Sequence, residues 1–284
     1  MATFTLRLTV GRNRDMMKEK QEAAMERKRI QPDLTGIPGS ILPFAENAVI
    51  FDSSCSSAAQ VWYLDREEGF YLKRAARGTL GQEAEMTAFF QEKGLSARVL
   101  AYESGEYDWL LTSRIAGEDC LHRRYLENPE RLCDTLGSVL RLLHGQAVAG
   151  CPVRHSPEEM LRRAACARDA GKFNRELAEE QGFSSAEEAW QAAVSGVALL
   201  KTDTLIHGDY CLPNVMLDNW HFSGLIDVGG GGIGDRHVDL FWGSWSLGYN
   251  LRTNAYTQRF LDAYGREAVD PEALRTVAAM ECFG

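Results

Sequence analysis

The sequence predicts an α+β chain of two lobes, a small antiparallel sheet carrying one helix followed by a larger and mostly helical body. Three observations carry this expectation. Short β-branched and aromatic runs crowd residues 44–115. From about residue 117 the apolar residues recur at helical spacing instead. Between 206 and 240 a polar cluster is bracketed by the pattern of a β-hairpin.

The N-terminal elements follow in order. Residues 13–30 favour helix by propensity but show only a weak apolar face, and QPDLTGIPGS at 31–40 reads as a linker because it gathers two prolines and two glycines. Residues 1–43 are therefore expected to form an extension and linker. Strands are expected at AVIF (48–51), QVWYL (60–64), GFYLKR (69–74), ARVLAY (97–102) and WLLTSRI (109–115). A helix is expected over 81–93, where Ala84, Ala88 and the Phe89–Phe90 pair share a face and Gly94 supplies the stop. These elements make up a first lobe at 44–115.

The second lobe is expected at 116–284. Leu132, Leu136, Val139, Leu140 and Leu143 form one helical face. Pro157-Glu158-Glu159 is a helix start, since proline suits the first position and carboxylates suit the positive end of the helix dipole. A break near Gly182–Ser184 precedes a helix at 186–200, and 238–263 is apolar with helical spacing.

Composition narrows the function classes. The chain has 284 residues, 45% of them apolar and 25% charged, ordinary values for a globular protein with a well-buried core. No apolar run reaches the length of a membrane span and no secretory leader is visible, so the expectation is a cytoplasmic protein with no membrane partner. The net charge of −9 argues against nucleic acid as a partner. Seven cysteines without a C-x-x-C pair read as reduced thiols.

The chemistry concentrates in IHGDYCLPNVMLDNWHFSGLIDVGGGGIGDRHVDL at 206–240. His207-Gly208-Asp209 is followed by Asn214, then by VML (215–217), the polar turn 218–221 and FSGLID (222–227). In a hairpin the loop before the first strand and the end of the returning strand lie at the same mouth. Asp209, Asn214 and Asp227 would converge there as hard oxygen donors suited to Mg²⁺ with nucleotide phosphates. A kinase catalytic loop has the same order: an aspartate for the acceptor hydroxyl, an asparagine for metal, and a later metal-holding aspartate. Here Gly208 stands in the place of the loop arginine and Asp227-Val228-Gly229 in the place of D-F-G.

On these residues the chain resembles the aminoglycoside phosphotransferase family, its 3′-phosphotransferase branch in particular. HGDYCLPNVMLD and FSGLIDVGG are similar to the two signature segments of that family, and the resemblance runs over roughly 44–284. It implies a protein-kinase-like fold and ATP- and Mg²⁺-dependent phosphorylation of a hydroxyl, most directly the 3′-hydroxyl, of an aminoglycoside antibiotic, with GTP left open as a donor. The roles it implies are Asp209 for the acceptor hydroxyl, and Asn214 and Asp227 for the metal. Lys73 on a strand would meet the phosphates. Glu83, preferred over Glu85 on family alignment, would hold Lys73. Ser57 in the hairpin 53–61 takes the place of a phosphate loop, and Ser113 and Ile115 fall at the family's interlobe linker, where backbone groups meet adenine. His207 and Asp239 are expected to support the loop. The C-terminal AMECFG resembles the family's acidic-aromatic tail, which makes Glu281 a candidate for substrate amines.

A small cationic substrate agrees with the charge of the second lobe. Residues 116–284 hold 24 acidic and 16 basic residues, and eight carboxylates lie within 158–188. Among kinases of this fold the alternative acceptors are choline, homoserine, macrolide or ketosamine types, and the chain departs from the family near the acceptor pocket: Gly230 stands where arginine is common, and Tyr249 and Asn250 stand where acidic residues are usual. Two other classes compete. His207, Asp209, Asp227, Asp235, His237 and Asp239 could form a two-metal hydrolase site, and an inactive nucleotide-binding module would keep the motif without turnover. Gly229–Gly232 lacks the G-K-[ST] of a P-loop and reads as flexible backbone beside the metal site. A monomer or weak dimer is expected.

Overall fold

A computed structural model describes residues 28–55 and 57–284. Its first lobe is a six-stranded antiparallel sheet: β1 Arg29–Ile30, β2 Val49–Asp52, β3 Ala59–Asp65, β4 Phe70–Ala76, β5 Val99–Ser104 and β6 Tyr107–Ser113. The strand order is β1-β2-β3-β4-β6-β5, so β4 sits inside the sheet, pairing Lys73 with Val61 of β3 on one side and Leu110 of β6 on the other. Helix α2 (Gly81–Glu92) connects β4 to β5; the short α1 (Leu42–Ala45) precedes β2.

The period-two alternation of strands gives the sheet two covered faces. Phe70, Leu72, Trp62, Leu64, Trp109 and Leu111 pack on one side with Ile37, Ile41 and Ala45. Ala75 and Leu110 pack on the other with Leu80 and Ala84 at the start of α2. Lys73 lies between Leu72 and Arg74 in β4 and so shares the α2 face with Ala75. The far side of α2 leaves the lobe altogether: Met86, Phe89 and Phe90 enter a core built mainly from the second lobe. Each such fully buried Phe or Leu contributes about 1.5–3 kcal/mol, which fixes α2 against both lobes.

The second lobe contains α3 (Arg123–Leu126), α4 (Pro129–His144), α5 (Pro157–Asp169), α6 (Arg175–Glu180), α7 (Ala186–Gly196), α8 (His237–Leu251), α9 (Thr257–Tyr264) and α10 (Pro271–Glu281). Short strands sit at its mouth. β9 (Val215–Asp218) pairs with β10 (His221–Leu225) and with β7 (Glu118–Asp119), while β8 (Thr204–Ile206) pairs with β11 (Gly232–Gly234). Ser156, Asn174, Ser185 and Asp270 each cap a helix through a side-chain oxygen. The lobes also meet where Leu225 donates its N–H to Leu95 O at 2.7 Å. The architecture is the expected α+β, protein-kinase-like, two-lobed fold.

Four local expectations change. The helical propensity over 13–30 lies mostly outside the described residues, but its end is a strand: Arg29 and Ile30 pair with Phe51 and Ile50. An open sheet edge offers that backbone partners, and edge pairing outweighs propensity. The stretch expected as a linker carries Ile37 and Ile41 into the sheet core, 7% and 0% exposed, so the chain joins the first lobe before residue 44. Helix α7 stops at Gly196 and tightens into a 3-10 turn over Val197–Leu199. The single apolar span at 238–263 is two helices, because Arg252 adopts a left-handed φ of 57° and ends α8.

Candidate active site

The hairpin β9–β10 brings the expected oxygen donors together. Asp209 and Asn214 lie on the loop entering β9, and Asp227 follows β10. Asn214 is 1% exposed and its amide nitrogen donates both to the Asp209 backbone carbonyl, at 2.9 Å, and to Asp209 Oδ2, at 3.0 Å. The other oxygen, Asp209 Oδ1, is buried without a hydrogen-bond partner. Leaving a carboxylate oxygen so placed costs free energy unless a ligand completes it. Asp227 is held in the left-handed conformation, φ 56° and ψ 41°, sparsely populated for a residue with a side chain. Its carboxylate and the Asn214 amide are oxygen donors of the type a hard divalent cation takes, so this cluster fits Mg²⁺.

Two buried side chains hold this loop. His207 is fully buried. Its Nε2–H donates to Ile226 O at 3.0 Å, while Nδ1 accepts from Asp209 N–H at 3.2 Å. One neutral imidazole thereby ties Asp209 to the residue before Asp227. Asp239, also fully buried, accepts from the N–H groups of His207 at 2.7 Å and Gly208 at 2.8 Å. His144 Nε2 donates to the same carboxylate at 3.1 Å, and Tyr264 OH is 2.8 Å from His144 Nδ1. His207 and Asp239 thus occupy supporting places.

The glycine run is ordered by contact rather than left flexible. Gly229 O accepts from Gln82 Nε2 at 2.7 Å, and Gly232–Gly234 is strand β11. Gly208 has φ 82°, and a Cβ there would overlap the Gly230 carbonyl oxygen. Backbone packs on backbone at this point. The loop arginine of protein kinases has no room here, which accounts for H-G-D.

Lys73 reaches this cluster from the sheet. Its Nζ is 2.8 Å from both carboxylate oxygens of Glu83 and 3.3 Å from Asp227 Oδ1. Burial opposes its charge, but the two carboxylates outweigh burial and hold the ammonium well above its ordinary pKa. Glu83 is the partner because it points to the cleft; Glu85, two residues on, is exposed. Ser57 is exposed at the tip of the β2–β3 connection. Ser113 closes β6 with its N–H committed to Arg98 O at 2.9 Å and its hydroxyl accepting from Arg98 N–H at 3.0 Å. Ile115 is buried, and a Cβ on Gly224 of β10 would meet its side chain.

Glu281 ends α10, half-buried beside the cleft. Burial foremost raises its pKa to about 7, with Arg163 pulling the other way and the charge of Asp209 adding to the rise. That mutual influence places Glu281 in the same electrostatic neighbourhood as Asp209. The tail beyond it is anchored: Phe283 is 1% exposed, with its ring 5.4 Å from Phe173 and 6.0 Å from Trp190. Sequence reasoning did not find Arg163, which has no motif around it. The acidic helices are partly spoken for, since Glu187 pairs with Arg168, Glu188 with Arg275, and Glu180 accepts from the Trp245 indole.

The two-metal hydrolase arrangement does not form. Asp235 Oδ1 bonds His237 Nδ1 at 2.7 Å and Asp239 is saturated by the loop. Among the described residues no three His, Cys, Asp or Glu side chains converge on one point.

Residues 51–277 match the phosphotransferase enzyme family. This chain belongs to that family. It is 42% identical over 258 residues to a probable aminoglycoside 3′-phosphotransferase of Lactococcus lactis subsp. lactis, covering 90% of this chain and 98% of the relative. Among solved structures it is similar to an aminoglycoside 3′-phosphotransferase of type VIII, with TM-score 0.67 and 28% identity over 81% of this chain and 90% of that one. The fold extends to an aminoglycoside phosphotransferase from Streptomyces rimosus solved with ADP and streptomycin, with TM-score 0.65 and 21% identity over 79% of this chain and 90% of that one. The chain is accordingly a phosphotransferase, similar along nearly its whole length to the 3′-aminoglycoside branch. No helix among the described residues is long and apolar enough to cross a membrane.

Proposed function

We propose that this phosphotransferase moves the γ-phosphoryl group of ATP to the 3′-hydroxyl of an aminoglycoside, and so confers resistance to that antibiotic in the cytoplasm of its host. The observation that carries the reading is the Lys73 ammonium bonded at once to Glu83 and Asp227, which sets a phosphate-binding cation against an oxygen-rich catalytic loop. The relatives named above supply the substrate class.

In this reading ATP lies between the lobes. Lys73 meets its phosphates, with Glu83 keeping the ammonium in place. Ser57 and its neighbouring N–H groups close over the phosphates, and backbone groups at Ser113 and Ile115 face adenine, the Ser113 N–H excepted. Asn214 and Asp227 would hold Mg²⁺. When bound, the ion neutralises charge on the phosphates and aligns them. Asp209 orients the acceptor hydroxyl, its Oδ1 accepting that proton as the new P–O bond forms and the bond to the ADP leaving group breaks. Asn214 keeps Oδ2 occupied, so the carboxylate presents one oxygen. His207 and Asp239 hold the loop in register, which matters because small misplacements of reacting groups are costly. Glu281 receives an amine of the acceptor.

The test is ADP release with Mg·ATP and two kinds of acceptor. Kanamycin and neomycin carry a 3′-hydroxyl, whereas tobramycin lacks it. Turnover with the first pair alone is the expected result. Turnover with all three would move the target hydroxyl. Silence throughout, with Mg·ADP still bound, would refute the acceptor.

A further inference from the structure

Helix α2 carries Glu83 in its first turn yet lacks a cap of its own. Leu80 occupies the N-cap position and offers no side-chain acceptor, and Thr79 turns its hydroxyl to Ala76 O at 2.6 Å. The first N–H groups of a helix need acceptors from somewhere. Here a strand supplies one. Asp108 of β6 is fully buried; its Oδ2 accepts from Leu80 N–H at 2.9 Å and its Oδ1 from Ser104 Oγ at 2.7 Å. Gly78 N–H and the Tyr102 hydroxyl also favour its charged form. Burial opposes the charge, but this ring of donors keeps the carboxyl below its ordinary pKa. A negative charge at this end of α2 also complements the helix dipole.

The register gives this anchor a consequence. Asp108 lies opposite Ala75, and Leu110 lies opposite Lys73, so Asp108 and Lys73 share one face of neighbouring strands. A closed ring of constraints results: Lys73 to β4, across the ladder to Asp108, into the start of α2, and from Glu83 back to the Lys73 ammonium. We propose that Asp108 is a positioning residue for phosphoryl transfer, a tertiary cap that holds α2 where Glu83 grips Lys73. No motif announces it, because its role depends on a turn 28 residues away in sequence. The inference rests on the nucleotide-binding reading of Lys73 given above.

The experiment compares wild type with Asp108→Ala, Asp108→Asn, Glu83→Gln and the double variant Asp108→Ala/Glu83→Gln. The readouts are kcat/KM for ATP and KM for kanamycin, with the Kd of Mg·ADP from calorimetry. Asp108→Ala is expected to lower kcat/KM for ATP by about tenfold to a hundredfold, to weaken Mg·ADP, and to leave the kanamycin KM within about twofold. In the Glu83→Gln background the same change should add less than about threefold, because the partner it positions is already disabled. Asp108→Asn keeps an acceptor for Leu80 N–H and should fall between; it also serves if Asp108→Ala does not fold. Wild-type ATP kinetics in Asp108→Ala, an equal loss in both backgrounds, or a parallel rise in the kanamycin KM would each overturn the proposal. Wild-type protein that binds no Mg·ADP would instead refute the nucleotide reading, and this inference with it.

Discussion

Replacing Gly208 with alanine tests how tightly the catalytic loop is built. The residue sits at φ 82°, where a side chain costs about 1–2 kcal/mol. The new Cβ would also overlap the Gly230 carbonyl oxygen, which belongs to backbone and cannot rotate away. Relief requires the loop to shift, and the shift strains the bonds from His207 and Gly208 N–H to Asp239, at 2.7 and 2.8 Å. Losing one such bond to a buried carboxylate costs about 1.5–3 kcal/mol. The total is about 3 kcal/mol or more of folded-state strain, and a loop that shifts to relieve it displaces Asp209, a misplacement that costs about a hundredfold in rate when it reaches about 1 Å. Because Asp209 follows Gly208 directly and Gly230 follows Asp227 by three residues, the loss should appear in kcat. The assay is steady-state ADP release at saturating ATP and kanamycin, with a thermal melt to confirm folding. Activity within threefold of wild type at an unchanged melting temperature would refute the close-packed loop.

Two further outcomes follow from the same geometry. Asp209→Ala should reduce turnover by at least ~10²-fold, while Mg·ADP binding by calorimetry stays within a few-fold, since the carboxylate acts on the acceptor rather than the nucleotide; full activity would sink the assignment. Glu281, with its pKa raised to about 7, is protonated below that pH and charged above it, so the KM for a cationic acceptor should rise as pH falls through about 7, a step that Glu281→Gln removes. Linkage gives that residue a second signature. The folded protein holds this proton more tightly than the unfolded chain, so its contribution to stability is present below the ordinary carboxylate range and lost as pH rises through about 7. Glu281→Gln should therefore melt higher than wild type at pH 8 and not at pH 5, and the opposite order would show that the carboxylate is paired.

Local signals made much of the molecule legible. The hairpin at 215–225 was written in two short apolar runs around a polar turn, and it alone brings Asp209, Asn214 and Asp227 to one mouth. Gly94 marked the end of α2, and Ser156, Asn174 and Asp270 cap helices by their own side chains. Lys73 and Glu83 followed once the loop had set the frame. What failed was context. Ile37 and Ile41 looked like linker because Pro and Gly dominate their neighbours, yet the bare face of a sheet buries them. The glycine run looked loose because glycine is conformationally free, yet removal of side chains is what lets two backbones touch.

By itself the sequence determined the order of the two lobes, the strand carrying Lys73 and the spacing of the catalytic loop, since periodicity and turn chemistry act over a few residues. Only the tertiary structure decided that His144 joins Asp239 beneath the loop, that Gly208 is crowded by Gly230, and that Asp108 caps α2 from a strand. Each of those depends on a pair of groups far apart in the chain, joined by packing that no local pattern encodes.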